Sequence, residues 1–400
     1  MKLSDYVFNV IAGAGVKHVF MLPGGGCMHL CDSLGRREDL ELICNLHEQA
    51  CAVAADAYGQ YTNNLGVALV TTGPGGTNTL TGVAGAWLDS TPCLFISGQV
   101  KRADMKGNRG VRQMGFQEID IVQMVQSITK YAVTVTDPLT IRYHLEKALY
   151  LARHGRPGPV WVDIPLDVQA AEISEADLAA FAPTEAADVT NAGRAAAAAQ
   201  QVARWLKSAE RPVLLVGNGV RLDGALAELH QLLKLIPIPV LTTWKAIDFL
   251  ADNHPLFAGR PGAVGQRGAN FTQQNADLLI AVGARLDLGQ TGYVHRNFAR
   301  AAKKVIVDID PAELGKLDMP IDLAVAAGAK AFLASLLQAL EAAKEKLSFD
   351  PWLERCQDWK RRYPVVLPEF ADAPDGVSNY CLIDVLSRCM SPEDLLVPGS

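Results

Sequence analysis

No apolar run in this 400-residue chain is long enough to span a bilayer. Its opening stretch, MKLSDYVFNVIAGAGVKHVF, lacks the sustained apolar core of a signal peptide. An excess of positive charge is missing as well. Thirty-seven Lys and Arg stand against 43 Asp and Glu, a net charge of -6, which argues against nucleic acid or an anionic membrane surface as partner. The eight cysteines, at 27, 31, 44, 51, 93, 356, 381 and 389, contain no CxxC pair. Cys27 and Cys31 are four apart, but no matching pair of Cys or His follows to complete a metal site. Several lie in apolar runs, where free Cys behaves as a small hydrophobe, so a reduced cytoplasmic protein is expected. Neither a GxGxxG fingerprint nor a P-loop lysine occurs. What remains, 49% hydrophobic and 20% charged residues, is ample for two or more globular domains.

The patterning is one of short apolar strands alternating with helices. Strands are expected at 19–22, 40–45, 65–72, 92–96, 131–135 and 160–164, with helices between them. After a stretch rich in Ala, Asp, Glu, Thr and Pro, a second series follows: a helix at 194–207, strands at 212–216, 239–242, 278–282, 305–309 and 323–326, and a helix at 330–345. Such βαβ alternation demands mostly parallel sheets with helices on both faces. The fold class is therefore α/β, two doubly wound, mostly parallel domains at 1–168 and 194–346. Residues 169–193 read as a surface linker, and 347–400 as a further linker running into the start of another domain.

The first domain is organised around NLHEQACAVAADAYGQYTNNLGVALVTTGPGGTN, residues 45–78. Glu48 opens a helix whose following residues, Ala50, Ala52, Val53, Ala54, Ala55 and Ala57, are small and apolar. In a cleft against such a helix, burial favours the protonated form of a carboxylate, which can then hold or exchange a proton near neutral pH. The next strand ends in Gly73-Pro74-Gly75-Gly76-Thr77-Asn78. In an open parallel sheet, ligands sit at the carboxyl ends of strands, so the acid and the glycine loop are expected at one crevice. Taken singly, each piece also fits a plainer role: Glu48 complementing the helix dipole, GPGGTN a turn with a helix cap. Pro23-Gly24-Gly25-Gly26 follows the first strand and lets the backbone approach a ligand or a neighbouring element. Residues 101–116 form a polar, basic loop able to cover the crevice. In the second domain, Gly217-Asn218-Gly219, Arg260, Gly283-Ala284-Arg285 and Asp308-Ile309-Asp310 all fall at or just beyond strand ends. There they either hold a nucleotide-like ligand or tie loops together, with Arg285 paired to Asp308 or Asp310.

The segments VFMLPGGG, NLHEQACAVAADAYG, VTTGPGGTN, GAWLDSTPCLFISGQV, FQEIDIV, SITKYAVTV, GRPGPVWVDIPLDVQ, ADLLIAVGARLD and VIVDIDPAELGK closely resemble thiamine-diphosphate enzymes of the acetolactate synthase branch. The likeness extends over nearly the whole chain. It implies a pyrimidine-binding domain followed by a Rossmann-like central domain. It also implies decarboxylation of a 2-oxo acid, with ligation of the resulting acyl carbanion to a second carbonyl. By this resemblance Glu48 hydrogen-bonds N1′ of the cofactor's aminopyrimidine, and Pro74, Gly75 and Asn78 line that ring. Gly25 and Gly26 face the reacting centre from a partner subunit, and Phe116, Gln117 and Lys130 border the substrate channel. A charged residue at Ala50 or Ala54 is then expected to damage the chemistry. Gly217, Gly219, Arg260, Arg285 and Asp308 correspond to the region that holds FAD in flavin-containing members. FAD or another adenine nucleotide is expected there, in a structural role.

Three features depart from the family pattern. No GDG with a downstream Asn occurs in residues 1–400, so the ligands of Mg²⁺ and the diphosphate are expected outside this chain. The loop from 101 to 116 is long and carries Arg109, Arg112 and Gln113, which leaves the acceptor substrate open and allows a larger or more anionic one. Gly283-Ala284-Arg285-Leu286-Asp287-Leu288-Gly289-Gln290 replaces an aspartate-rich turn, and Gly265-Gln266-Arg267-Gly268-Ala269-Asn270 replaces a second flavin-side segment. A homodimer or tetramer is expected, or a partner chain that supplies the diphosphate-binding domain. The competing reading is a non-catalytic fragment or split subunit that serves as a half-site or assembly module.

Overall fold

The computed structural model describes residues 1–183, 191–344, 346–371, 376–391 and 393–397. It divides into two compact units, Met1–Ala187 and Asp188–Ser400. The first contains strands β1 (His18–Met21), β2 (Glu41–Cys44), β3 (Gly66–Val70), β4 (Cys93–Gln99), β5 (Tyr131–Thr134) and β6 (Val160–Pro165). They form one sheet in the order β2-β1-β3-β4-β6-β5, with every pairing parallel.

The apolar strand runs follow from coverage on both faces. Along β3, Val67 and Leu69 enter one core cluster while Ala68 and Val70 enter the other; along β4, Leu94 and Ile96 are separated from Phe95 in the same way. The Glu48–Thr62 helix packs close to β3, where a Cβ added at Gly66 would overlap the carbonyl of Ala55, and close to helix Leu80–Asp89, where one at Gly82 would overlap Ala52. Its run of alanines reflects that close approach. His47 caps its start by accepting from Gln49 N, and Asn63, at φ 52°, ends it in the left-handed region.

The second unit holds β7 (Pro212–Val216), β8 (Val240–Thr242), β9 (Phe257–Gly259), β10 (Leu278–Val282), β11 (Lys303–Asp308) and β12 (Leu323–Ala326). Their order is β12-β11-β10-β7-β8-β9, again all parallel. Leu278, Ile280 and Val282 face one core cluster, Leu279 and Ala281 the other. The expectation of two doubly wound α/β domains is met. Strand β9 was not anticipated, since three residues flanked by prolines carry no readable alternation.

The boundaries of the two units differ from the sequence reading. Residues 169–181, read as linker, are fastened to the first unit. Leu3 N donates to Ala171 O, Ile173 N to Met1 O and Phe181 N to Glu146, while Ile173 and Leu178 are buried. Two lone apolar residues have no periodicity to reveal them; residues 184–190 of that span lie outside the described set. Helix Asp350–Arg362, read as part of a linker, packs on helix Arg267–Asn275. It buries Trp352, whose Nε1 donates to Pro212 O, and Cys356. Residues 393–397, read as the start of another domain, carry no helix or strand, and 398–400 lie outside the described set.

Candidate active site

Four loops gather at the carboxyl ends of the first sheet: 22–27 after β1, 45–48 after β2, 71–78 after β3 and the segment after β4. Glu48, at the start of its helix, is only 9% exposed, and Asn78 Nδ2 donates to its Oε2 at 2.9 Å. The glycine turn that joins them begins at Gly73, φ 63°, and continues as the one-turn helix Pro74–Asn78 with proline at its first position. A Cβ at Gly75 would stand 3.7 Å from Glu48 Oε1 and press on Thr71. Nearby in sequence, Asn45 Oδ1 is buried and lacks a partner. The buried face of the helix is Cys51, Ala52, Ala55 and Gly59; Ala50 is exposed and Ala54 half-buried. Within this unit it is Ala52 and Ala55, rather than Ala50, that have no room for a charged side chain.

The Gly24–Gly26 turn is laid directly on the end of β3. Gly26 N donates to Thr71 Oγ1 at 3.0 Å, and a Cβ at Gly26 would overlap Thr72 Oγ1. Gln169 Nε2 donates to Gly26 O at 2.7 Å, while Thr72 Oγ1 donates to Gly98 O. Gly26 thus serves close packing between neighbouring elements. Gly25 is exposed and has nothing within 4 Å of a would-be Cβ, so it alone in the turn offers open backbone to a ligand. Thr71, Thr72 and Gln169 are site-building residues that the sequence reading missed. A Thr pair closing an apolar strand before a glycine turn was the available signal.

Gln117 comes to the same place. A Cβ at Gly73 would overlap its carbonyl oxygen, and Gln117 itself has φ 57°. Phe116 beside it is 84% exposed. Glu118 then closes the 101–116 loop on itself, accepting from the backbone N–H groups of Lys106, Met114 and Gly115 at 2.5, 3.0 and 3.1 Å. Burial raises the pKa of this carboxyl, but the three N–H donors and Lys106 outweigh burial and leave it below the usual carboxylate value.

Lys130 is not brought into this cluster. It precedes β5, at the amino ends of the strands, and its Nζ donates to the carbonyls of His154 and Arg156 at 2.5 and 2.7 Å. Burial pushes its ammonium down to about 8. Within this unit Lys130 ties the turn at 154–156.

In the second unit, the glycines explain each other. Gly217 and Gly219, after β7, press on Gly283, after β10: a Cβ at Gly217 would overlap the Gly283 carbonyl oxygen, and Gly219 N donates to that oxygen at 3.0 Å. Arg285, φ 55°, pairs with Asp287 at 2.8 Å within its own turn. Asp308 Oδ1 accepts from Asp310 N, and Asp310 caps helix Pro311–Gly315. Arg260, after β9, lies over the Phe257 ring, and its Nε is buried with no hydrogen-bond partner. Thr242 Oγ1, at the end of neighbouring β8, is likewise buried and unpartnered.

Among the described residues no helix is long and apolar enough to cross a membrane. No group of three or more His, Cys, Asp or Glu among them is placed to hold a metal ion.

Comparison with known proteins accords with this geometry. The model of the thiamine pyrophosphate enzyme N-terminal TPP binding domain matches residues 1–124, and that of the central domain matches residues 199–336. The acetolactate synthase large subunit of Cyanidium caldarium is 37% identical over 361 residues, 88% of this chain and 60% of that protein. A probable acetolactate synthase large subunit of Methanocaldococcus jannaschii is 36% identical over 398 residues, 97% of this chain and 64% of that protein. Acetolactate synthase 2, chloroplastic, of Zea mays is 37% identical over 401 residues, 100% of this chain and 61% of that protein. The chain spans about three fifths of the length of these curated relatives. With both of its units matched in order, the chain belongs to the thiamine pyrophosphate enzyme family.

Proposed function

We propose that this chain provides the pyrimidine half-site and the central domain of an acetolactate synthase-like enzyme that decarboxylates a 2-oxo acid and joins the acyl fragment to a second carbonyl. The observation that carries this reading is the buried Glu48 carboxylate, held by Asn78 beside Gly75, where a side chain would intrude. A flat heteroaromatic ring with a basic nitrogen fits such a place: a carboxyl for the nitrogen and a glycine where the ring edge needs room. Thiamine diphosphate, when bound, supplies an electron sink for the pair released on decarboxylation.

The chain's own residues would act as follows. Glu48 Oε1, the oxygen not taken by Asn78, holds or moves a proton at the pyrimidine nitrogen. Asn78 fixes the carboxyl's orientation, and Pro74 and Gly75 border the ring. Gly25 presents backbone to the reacting centre, in our reading that of a second subunit, which makes a homodimer the minimal assembly. Phe116 and Gln117 border the substrate beside the glycine turn. Mg²⁺ and the diphosphate would be held by groups other than those described here. In the assembled enzyme, Glu48→Gln should lower kcat for 2-oxo acid decarboxylation by about 10²–10⁴-fold, the usual weight of a proton-transferring group, with the circular dichroism spectrum unchanged. Wild-type turnover by that variant would sink the proposal.

A nucleotide site in the second unit is favoured by two adjacent orphans, Arg260 Nε and Thr242 Oγ1, buried at neighbouring strand ends. FAD or another adenine nucleotide, with its diphosphate toward Arg260 and a ribose toward Asp308, would supply partners for them. Acid release of a flavin or adenine nucleotide from purified protein, or a thermal shift on adding FAD or ADP, is expected. Colourless protein showing neither would leave these loops a purely structural role.

A further inference from the structure

The Gly24–Gly26 turn runs straight into Cys27, the residue before helix Met28–Gly35. Cys27 Sγ lies 3.4 Å from Cys31 Sγ and 3.4 Å from Gly24 O, to which it donates. Cys27 is fully buried and Cys31 half-buried. A bonded pair would stand at about 2.0 Å, with Cβ atoms about 3.5–4.5 Å apart. Positions i and i+4 on a helix hold their Cβ atoms about 5–6 Å apart, so closing the bond requires a small movement. That movement is available at Cys27, which sits outside helical geometry at φ −119° and ψ 20°.

The bland account is two small hydrophobes in contact, but their surroundings differ. When the Cys27 S–H turns from Gly24 O to the neighbouring sulfur it stabilises a Cys31 thiolate and lowers that thiol, even though burial acts the other way, whereas the same bond and burial push Cys27 up. One thiol is thus half-exposed and the more acidic of the two, and its neighbour is buried and the less acidic. An attacking thiol and a resolving thiol differ in this way.

We propose that Cys27 and Cys31 form a dithiol–disulfide site that exchanges with low-molecular-weight disulfides and, when oxidised, loosens the Gly24–Gly26 turn. The Cys31 thiolate attacks one sulfur of the small disulfide and a thiolate leaves, giving a mixed disulfide on Cys31. Cys27 then loses its proton and displaces the second small thiol, forming the Cys27–Cys31 bond. Two protein thiols are oxidised, one small disulfide is reduced, and two small thiols are released. The turn responds because Gly24 O accepts from both Cys27 Sγ and Cys27 N. Oxidation removes the first donor and shifts the residue that carries the second. The same turn is held by Thr71 and Gln169, so its displacement reaches the start of the Gly73–Asn78 segment. None of this depends on the reaction proposed above.

The test incubates the folded full chain with glutathione disulfide, quenches in acid, alkylates the remaining thiols and maps the digest. A peptide containing both Cys27 and Cys31, lighter by the two lost hydrogens and restored by dithiothreitol, is expected. Cys27→Ser should stop at a glutathione adduct on Cys31. Amide hydrogen exchange at Gly26, bonded to Thr71 in the reduced form, should speed up on oxidation of the unmutated chain and stay unchanged in Cys27→Ser. Both thiols fully alkylated after equilibration would overturn the proposal, as would a persistent Cys31 adduct in the unmutated chain. Identical exchange at Gly26 in the two states would overturn its coupling to the turn.

Discussion

Single atoms decide several positions in this molecule. Adding one methyl at Gly217 drives it into the Gly283 carbonyl oxygen and the Ala284 Cα, both backbone and unable to swing aside. Gly217→Ala should therefore cost about 1–3 kcal/mol or more in denaturant unfolding. Gly35→Ala, with nothing within 4 Å at the end of its helix, should be neutral within about 0.5 kcal/mol. Equal effects at the two sites would refute the packing account. Asp163 raises a different question. It is 1% exposed and accepts from Ser97 Oγ at 2.6 Å, Thr134 Oγ1 at 3.0 Å and Gln99 Nε2 at 3.2 Å. Burial pushes its pKa up to about 7 against the pull of those donors. A carboxyl raised in the folded state contributes stability that is complete below the ordinary carboxylate range and lost as pH rises through about 7. The unfolding midpoint should fall over that window, and Asp163→Asn should flatten the fall. An unaltered profile in the variant would remove Asp163 as its source.

The 101–116 loop is held at both ends by carboxylates. Asp167 takes Arg102 at 2.7 Å, and Glu118 gathers three backbone N–H groups. Because the Glu118 pKa is lowered, its contribution is present above the ordinary carboxylate range and disappears as pH falls through the lowered value. Glu118→Gln should make the loop cleave faster in limited proteolysis at neutral pH, and acid should do the same to the unmutated chain; equal cleavage of variant and parent would exclude this clasp. How legible each element was in the sequence depended on what fixes it. Strands such as β3 and β4 are buried on both faces, so their apolar runs were plain to read. Glu48, Asn78 and the glycine turn could be grouped because strand ends in a parallel sheet converge. Helix Asp350–Arg362 was hidden because it is held by one side of itself, Trp352 and Cys356, among charged residues. Lys130 was read from likeness alone, and its tie to the carbonyls of His154 and Arg156 had no local signal, because those partners lie more than twenty residues further along the chain.

Over the whole molecule, the two units share one construction: six parallel strands, a core on each face and loops of chemical interest at the carboxyl ends. Parallel pairing means that neighbours in space are remote in the chain. Ser97 and Asp163, joined across β4 and β6, are 66 residues apart, and so are Arg211 and Asp277, joined at the starts of β7 and β10. Each sheet can therefore close its middle only after a long loop has lost its freedom, and that loss precedes any reward from pairing. Refolding should be slow, and both units face the same delay. During it their apolar strand edges stand open to one another and to other chains. Yield on refolding should accordingly drop steeply as protein concentration rises, a kinetic liability carried by the same parallel architecture that gathers the site.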